Sequence, residues 1–308
     1  MREDAGWGEG TIPPYYPVRE IELQAYWDRT ALRTEPFPER FEQISDWVNP
    51  DGPGPARAAV DIALHDYISR KLGLPLHAAL NLPAPVNKAS SFTISVDTPE
   101  SMAAEARRLD RFPILKLKVA GDEEDMPRLE AVRAARPDAR LFADANAGWS
   151  LTQALEYLPY LENANLEVLE QPLGAGEIEA MGEIQAKTRI ALVADESLQK
   201  PEDLRRLAGA GVRGVNIKLM KVGGLGPALD LMKQARKAGM KIMLGCMIET
   251  AVGLTAAAHL AGLADWLDLD ACLLVANDPF EGMRFGDDAL ISLPQRPGIG
   301  ARLRQSAA

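Results

Sequence analysis

Two lysines lie two positions apart in a short apolar run. The segment FPILKLKVAG, residues 112–121, contains Lys116 and Lys118. Side chains at positions i and i+2 of a β-strand project from the same face, so the two ammonium groups would be neighbours. An edge strand with both groups in water would explain the pattern. A strand lining an active site would explain it chemically, because a second positive charge disfavours the ammonium form and lets a lysine act as a base nearer to neutral pH.

Three acidic residues end apolar runs at nearly equal spacing. They are Asp144 in LFADANAGW, Glu170 in LEVLEQPL and Asp195 in ALVADES, separated by 26 and 25 residues. Carboxylates brought together repel one another unless a cation is bound, and an all-oxygen ligand set suits Mg²⁺. Alternatively, each acid caps the helix that follows it. The regular spacing favours the metal site, so we predict Mg²⁺ ligands at these three positions.

A further lysine and two further acids follow the same pattern. Lys218 ends the run GVNIK, and Asp268 and Asp270 in DWLDLDACLL are again two positions apart. Two carboxylates on one strand face would hold a cation, for which the primary ammonium group of a substrate is a candidate; a solvated strand end is the alternative. Lys221 is predicted to be a loop residue outside the site.

Three other features are interpreted more simply. The glycine-rich segment KVGGLGPA, residues 221–228, lacks the spacing of a phosphate-binding loop, so we predict a tight turn. Cys246 in MLGCMIET has no histidine beside it in the sequence, so a small buried thiol is predicted. Glu249 in the same segment is a candidate pocket-lining residue.

The elements that must position these residues alternate regularly along the chain. Helical segments with mixed charge separate eight short apolar runs, which is typical of parallel βαβ units. Eight similar units predict an α/β fold with a closed (β/α)8 barrel of the TIM type, in preference to an open doubly wound sheet. The runs lie at about residues 91–96, 113–119, 140–145, 166–170, 190–194, 213–219, 241–246 and 265–270.

Such a barrel would bring the chemistry together, because its carboxyl strand ends all open onto one face. Lys118 on the second strand and Lys218 on the sixth would lie on opposite sides of the mouth, with the three acids on the arc between them. This arrangement fits removal of a proton from one side of a carbon and delivery of a proton to the other side. Lys116 and Lys118 would then point into the mouth and not into bulk water.

Composition excludes several classes of protein. The net charge is −10 and no block of Lys and Arg occurs, so a nucleic-acid partner is not expected. The N-terminal residues 1–16 lack the apolar core of a signal peptide, and no run is long enough to span a membrane. The two cysteines resemble neither a disulfide framework nor a zinc site, so a reduced cytoplasmic setting is expected.

The motifs together resemble the enolase superfamily, in its muconate-lactonizing-enzyme subgroup. LKLK at 115–118 looks like the family's Lys-x-Lys signature, and Asp144, Glu170, Asp195 and Lys218 fall at its metal-ligand and opposing-lysine positions. No histidine ends the seventh strand, so the mandelate-racemase pattern is not met. Asp268–Leu269–Asp270 resembles the Asp-x-Asp motif of the dipeptide epimerases, which binds the substrate's α-ammonium group.

The resemblance implies a cofactor, a substrate and a reaction. We expect a Mg²⁺-dependent isomerase that epimerises dipeptides by 1,1-proton transfer, with L-Ala-D/L-Glu from cell-wall peptide as the expected substrate. Lys118 and Lys218 would be the catalytic acid and base. Lys116, Asp268 and Asp270 would bind the substrate. Homologous barrels often self-associate, so a homo-oligomer is compatible with the chain.

The resemblance also predicts the domain organisation. Residues 1–86 would form a partial α+β capping domain, including an amphipathic helix at 55–73. Residues 87–284 would form the barrel, and residues 285–308 would return to the cap. AGWGEG, from residue 5, looks like the end of the family's early sheet, so we expect the first strands and the specificity loop to be missing.

Two alternatives remain open from the sequence. The same scaffold serves o-succinylbenzoate synthases, N-acylamino-acid racemases and cycloisomerases, whose substrates have no free ammonium group. The chain would otherwise be a metal-binding barrel without activity.

Overall fold

Eight parallel strands form the centre of the molecule, and a computed structural model describes residues 5–13 and 17–304. The strands are β1 (Phe92–Ile94), β2 (Ile114–Lys118), β3 (Arg140–Asp144), β4 (Leu166–Glu170), β5 (Ala191–Ala194), β6 (Gly214–Lys218), β7 (Lys241–Gly245) and β8 (Trp266–Asp268). They pair in chain order, and Ser91 N–H donates to Leu267 O at 2.9 Å, which brings the two edges of the sheet together into a barrel. Each strand lies within one of the eight predicted runs, so the (β/α)8 prediction is confirmed.

Helices surround the barrel and precede it. They are α1 (Glu20–Ala31), α2 (Ile44–Trp47), α3 (Gly54–Lys71), α4 (Leu76–Ala79), α5 (Pro99–Arg108), α6 (Asp125–Ala135), α7 (Leu151–Asn163), α8 (Ile178–Lys187), α9 (Pro201–Gly209), α10 (Leu219–Val222), α11 (Leu225–Lys237), α12 (Ala251–Ala258) and α13 (Ala271–Leu274). None of the helices in the described part of the chain has both the length and the apolarity needed to cross a bilayer.

Local sequence signals set several helix ends. Ser150 precedes α7 and accepts a hydrogen bond from Gln153 N–H at 3.3 Å, as expected for an N-cap. The predicted helix at 55–73 is confirmed as α3, which ends just before Gly73 in the left-handed region at φ +69°.

The barrel interior changes from apolar to charged along each strand. A buried cluster fills its lower part and includes Ile114, Phe142, Val168, Val193, Met243 and Trp266. The residue two positions later on each strand projects to the same side. Those later positions hold Lys116, Asp144, Glu170, Asp195, Gly245 and Asp268. The alternation of the strands therefore places the charged groups directly above an apolar floor.

The segment before the barrel packs as a strap along α3. Trp7 N–H donates to Asp66 Oδ2 at 2.8 Å, and a Cβ added to Gly6 or Gly8 would lie within 2 Å of a carbonyl oxygen of α3. Residues 5–13 form no strand, so the interpretation of AGWGEG as the end of a sheet is wrong within the described residues. The glycines allow close backbone packing on a helix instead.

Four short strands form two small ribbons after the barrel. They are β9 (Phe280–Glu281), β10 (Arg284–Phe285), β11 (Ile291–Ser292) and β12 (Arg302–Leu303), pairing as β10–β11 and β12–β9. Between them the chain returns to the N-terminal helices, where Ile299 N–H donates to Asp66 Oδ1 and Leu76 N–H donates to Gly298 O, both at 2.8 Å. Residues 1–4, 14–16 and 305–308 of the predicted segments lie outside the described part.

Candidate active site

A cavity of about 680 Å³ opens at the carboxyl ends of the barrel strands. Five predicted site residues line it, namely Lys116, Lys118, Lys218, Asp268 and Asp270. A second cavity of about 710 Å³ lies near the amino ends of β4 and β5 and contains none of the predicted site residues. The structure thus concentrates the charged groups at the face where barrel enzymes carry their active sites.

The three predicted metal ligands lie side by side beneath this cavity. Asp144 ends β3 and pairs in register with Glu170 at the end of β4, while Asp195 follows the last residue of β5. Asp144 and Glu170 are fully buried and Asp195 is 5% exposed. Three carboxylates therefore meet where water is largely excluded, which requires positive charge nearby.

Lys116 supplies part of that charge from the centre of the group. Its Nζ lies 3.0 Å from Asp144 Oδ2 and 2.7 Å from both Glu170 Oε2 and Asp268 Oδ2. The side chain is only 2% exposed. The edge-strand explanation of the Lys116 pattern is therefore excluded.

Lys118 and Lys218 each form an ion pair with a different one of the three acids. Lys118 Nζ donates to Asp144 Oδ2 at 2.7 Å and to Asn146 Oδ1 at 2.8 Å, and its side chain is 31% exposed. Lys218 Nζ donates to Asp195 Oδ2 at 2.6 Å and is buried. Because β2 and β6 are four strands apart in an eight-stranded ring, the two lysines flank the acids from different sides.

The pKa values of these groups follow from burial opposed by charge. Burial alone would lower the pKa of Lys116 and Lys218, but the neighbouring carboxylates raise both well above the usual lysine value. Carboxylates at or within 3.0 Å of each ammonium group outweigh the effect of burial. Burial would raise the pKa of Asp144, yet Lys116 and Lys118 lower it to about 2.

The pKa of Glu170 is shifted in the opposite direction from that of Asp144. Burial and the adjacent Asp144 raise its pKa to about 7, although Lys116 acts against them. Its Oε2 atom makes no hydrogen bond of acceptable geometry, even though Lys116 Nζ is 2.7 Å away. Lys116 is the cation beside this buried oxygen, and their contact is an ion pair without a well-directed hydrogen bond.

The residues fit a hard divalent cation. Within the described residues no three Asp, Glu, His or Cys side chains enclose a common point as they stand, since lysine ammonium groups lie against the acids. The donor set is nevertheless three carboxylates on adjacent strands, and Glu170 Oε2 accepts no well-directed hydrogen bond. Oxygen ligands of this kind suit Mg²⁺.

The two acids of the last strand differ in their partners. Asp268 Oδ1 accepts from Ser91 Oγ at 2.7 Å, and its other oxygen pairs with Lys116. Asp270 Oδ2 accepts from Thr93 N–H at 2.8 Å. Burial and the neighbouring Asp268 raise the pKa of Asp270 to about 6. Of the two carboxylates that face the cavity, Asp268 is therefore paired with a lysine, whereas Asp270 is held by a backbone N–H group.

Three residues that support the acids were not predicted from the sequence. Lys221 was predicted to be a loop residue, but it lies in α10, is buried and contacts Asp195. Asn216 Nδ2 donates to Glu170 Oε1 at 2.7 Å, and Gln171 Oε1 accepts from Asp195 N–H at 2.9 Å. The three-residue spacing from Lys218 to Lys221 is not a helical repeat, because Lys218 ends β6 in an extended conformation and only Lys221 lies in α10.

The structure also shows where the glycine-rich segment, Cys246 and Glu249 lie. The tight turn predicted within residues 221–228 is confirmed at Gly223 and Gly224, between α10 and α11, and Asp61 Oδ1 accepts from Leu225 N–H at 2.5 Å, where a phosphate would have to bind. Cys246 lines the cavity, but burial raises the pKa of its thiol well above the usual value, which disfavours a nucleophilic thiolate. Glu249 is buried and is not among the cavity-lining residues, so that prediction is wrong.

A parallel eight-stranded barrel with acids and lysines at its carboxyl strand ends has the architecture of a barrel enzyme. Residues 101–307 match the family described as Enolase C-terminal domain-like. L-Ala-D/L-Glu epimerase from Bacteroides thetaiotaomicron is 34% identical over 299 residues, which are 96% of this chain and 77% of that protein. The chain belongs to the Enolase C-terminal domain-like family, and the resemblance drawn from its motifs is confirmed.

Solved structures agree with this placement. Dipeptide Epimerase from Enterococcus faecalis V583, complexed with Mg and the dipeptide L-Leu-L-Tyr, aligns with a TM-score of 0.89 and 30% identity, covering 96% of this chain and 87% of that chain. N-succinyl Arg/Lys racemase from Bacillus cereus ATCC 14579 aligns with a TM-score of 0.88 and 29% identity, covering 97% of this chain and 84% of that chain.

Proposed function

We propose that this chain is a Mg²⁺-dependent dipeptide epimerase that transfers a proton at the α-carbon of the C-terminal residue. The observation that carries the proposal is the placement of Lys118 and Lys218 on opposite sides of three buried carboxylates at the barrel mouth. Relatives named as L-Ala-D/L-Glu epimerases support the reaction and make that dipeptide the first substrate to test.

Asp144, Glu170 and Asp195 would hold the Mg²⁺ ion. Bound there, Mg²⁺ would supply positive charge beside the substrate carboxylate, where negative charge develops as the α-proton leaves. Lys116 would add a fixed positive charge next to the same group, because its ammonium already lies among these acids.

Lys118 and Lys218 would move the protons. One lysine removes the α-proton as a free amine, and the other, on the opposite side, delivers a proton as an ammonium ion. The roles exchange when the opposite stereoisomer is the substrate. Both lysines are paired with carboxylates in this structure, so a productive complex requires the acting base to leave its acid.

Asp268 and Asp270 would bind the α-ammonium group of the dipeptide. Two carboxylates facing one cavity favour a cationic ligand, and holding the amino end fixes the position of the C-terminal α-carbon. Asp270 is the main candidate for this contact, since Lys116 already pairs with Asp268.

The cellular setting and the domain division also belong to the proposal. Two free cysteines support a reduced, cytoplasmic location, and the substrate class supports a role in the metabolism of cell-wall peptides. We assign residues 1–86 to a partial cap, 87–284 to the barrel and 285–308 to a segment that returns to the cap. The hydrogen bonds of Ile299 and Gly298 to α3 and α4 support that return.

Isotope exchange tests the proposed function. The purified chain, incubated with Mg²⁺ and a set of L,L-dipeptides in D₂O, should incorporate deuterium at the C-terminal α-carbon and form the L,D-isomer, as followed by proton NMR. Chelation of Mg²⁺ should stop both processes. Folded, Mg²⁺-loaded protein that exchanges no dipeptide would refute the proposal.

An N-acylamino-acid racemase is the second candidate. The pairing of Asp268 with Lys116 favours it, because an acylated amino group carries no positive charge and needs no second free carboxylate, and the structural similarity to an N-succinyl Arg/Lys racemase points the same way. Asp270→Asn separates the two functions. A large loss of activity supports a dipeptide, whereas unchanged activity with N-succinyl amino acids supports the racemase.

A further inference from the structure

Lys221 is a buried lysine, and all three N–H donors of its ammonium group have hydrogen-bond acceptors. Its Nζ donates to Asp195 Oδ1 at 2.5 Å, to Asp195 O at 2.6 Å and to Asn216 O at 3.0 Å. The side chain is 1% exposed. An ammonium group has three N–H donors, so each has an acceptor here.

These contacts lie where two barrel strands separate. The pairing of β5 with β6 ends at Ala194 and Val215. The next residues along the two strands are Asp195 and Asn216, and Lys221 Nζ connects their carbonyl oxygens. The lysine thus continues the link between the strands at the level of the proposed metal ligands.

The same contacts divide the two oxygens of Asp195. Oδ1 is held by Lys221, and Oδ2 is held by Lys218 at 2.6 Å. If Lys218 leaves to act as acid or base, Lys221 still fixes the carboxylate and keeps Oδ2 directed toward the site. A residue that only neutralised charge would not need three directed hydrogen bonds.

We propose that Lys221 is a positioning residue that holds Asp195 in place for Mg²⁺ and so allows Lys218 to leave that carboxylate. The inference rests on the proposed metal site. Asn216 acts beside it in the same way, since its side chain donates to Glu170 while its backbone carbonyl accepts from Lys221. The β6–α10 segment would then support two of the three ligands.

The direction in which Lys221→Met changes Mg²⁺ affinity distinguishes a positioning role for Lys221 from a purely electrostatic role. Lys221→Met removes a positive charge close to the cation, which by itself would tighten Mg²⁺ binding. It also frees the Asp195 carboxylate to rotate and leaves two carbonyl oxygens without their donor. Loss of a residue that orients a metal ligand weakens metal affinity by about 10–100-fold. We expect a loss in this range.

The measurement is Mg²⁺ affinity of the full chain by isothermal titration calorimetry, at a temperature where every variant is folded by circular dichroism. Lys88→Met is the matched control, because Lys88 is half-buried and donates to a single carbonyl, Ala264 O, at 2.9 Å. Its Mg²⁺ affinity should equal that of the wild type. Lys221→Arg keeps the charge and several donors and should recover part of the affinity.

The outcomes are distinct. If Lys221→Met binds Mg²⁺ as tightly as the wild type or more tightly, the inference is wrong while the proposed function stands. If the wild type binds no Mg²⁺, both fail. Should Lys221→Met not fold, Lys221→Gln takes its place: it keeps two N–H donors but is one bond too short, so it should also weaken Mg²⁺ binding, and an unchanged affinity overturns the inference.

Discussion

At the scale of single residues, the lysines at the barrel mouth show how far a side chain's partners decide its chemistry. The spacing of Lys116 and Lys118 predicts a shared face, and the structure brings both to the barrel mouth. The pattern does not show that Lys116 lies within 3.0 Å of three carboxylates, which raise its pKa. Such partners come from strands far away in sequence, so only the fold identifies them.

The opposed lysines lead to a stereochemical prediction. Lys118→Met and Lys218→Met should each lower epimerisation by about 10²–10⁴-fold, since each removes one of the two proton-transfer groups. Each variant should still exchange the α-proton of one stereoisomer, the one whose proton faces the remaining lysine. Proton NMR in D₂O with matched L,L- and L,D-dipeptides measures both.

The control for this experiment is Lys241→Met, which removes an exposed lysine that pairs with Asp265 at the amino end of β7. Its epimerisation rate should match the wild type. The proposed two-base assignment is wrong if Lys118→Met or Lys218→Met exchanges both stereoisomers at the wild-type rate.

At the scale of elements, the turn between β7 and α12 contains a buried carboxyl group. Glu249 Oε1 accepts from Met247 N–H at 2.8 Å, whereas Oε2 is buried and makes no hydrogen bond. Glu9 of the N-terminal strap lies nearby and accepts from Thr250 N–H and Gly253 N–H, both at 2.8 Å. Burial, with a contribution from Glu9, raises the pKa of Glu249 to about 8, although Lys218 acts in the opposite direction.

This carboxyl group should make stability fall as pH rises from about 4.5 to about 8. The folded chain keeps Glu249 protonated up to about pH 8, whereas the unfolded chain loses that proton near 4.5. Stability is therefore lost as pH rises between these values. Glu249→Gln should remove that part of the loss and raise the melting temperature at pH 8.5 by about 2 °C or more.

Thermal melts of both proteins from pH 5 to pH 9 measure the effect. The difference in melting temperature in favour of Glu249→Gln should grow as pH rises. A constant difference over this range would show that Glu249 keeps an ordinary pKa. Glu130→Gln, an exposed substitution on α6, should leave the curve unchanged.

At the scale of the whole molecule, the barrel was predictable and its supporting contacts were not. Continuous apolar runs identify all eight strands, because parallel strands buried on both faces lack polar alternation. Gln171 was not predictable as a support for Asp195, since its backbone adopts φ +35° in a context set by its neighbours. Lys221 was missed because a four-residue helix gives too short a pattern to recognise.

His259 joins three parts of the molecule that are distant in sequence. Its Nδ1 accepts from His77 N–H of α4 at 3.1 Å, and its Nε2 lies 3.0 Å from Ile299 O in the C-terminal segment. The neutral ring, with its proton on Nε2, satisfies both partners. Burial lowers the pKa of His259 to about 4, and the neighbouring His77 contributes to the decrease.

This ring should make the docking of the C-terminal segment sensitive to acid. Between about pH 6.5 and pH 4 the unfolded chain binds a proton at His259 that the folded chain excludes, so stability falls as pH falls through this range. His259→Gln, which keeps an acceptor and a donor, should be less stable than the wild type at pH 7, and this difference in stability should narrow toward pH 5.

His65→Gln is a control in which the pH dependence has the opposite sign. Burial by itself would lower the pKa of His65, but Asp61 raises it. The difference in stability between His65→Gln and the wild type should therefore narrow as pH rises. Urea unfolding at five pH values gives both differences, and parallel curves for His259→Gln and the wild type would show that the buried ring does not exclude the proton.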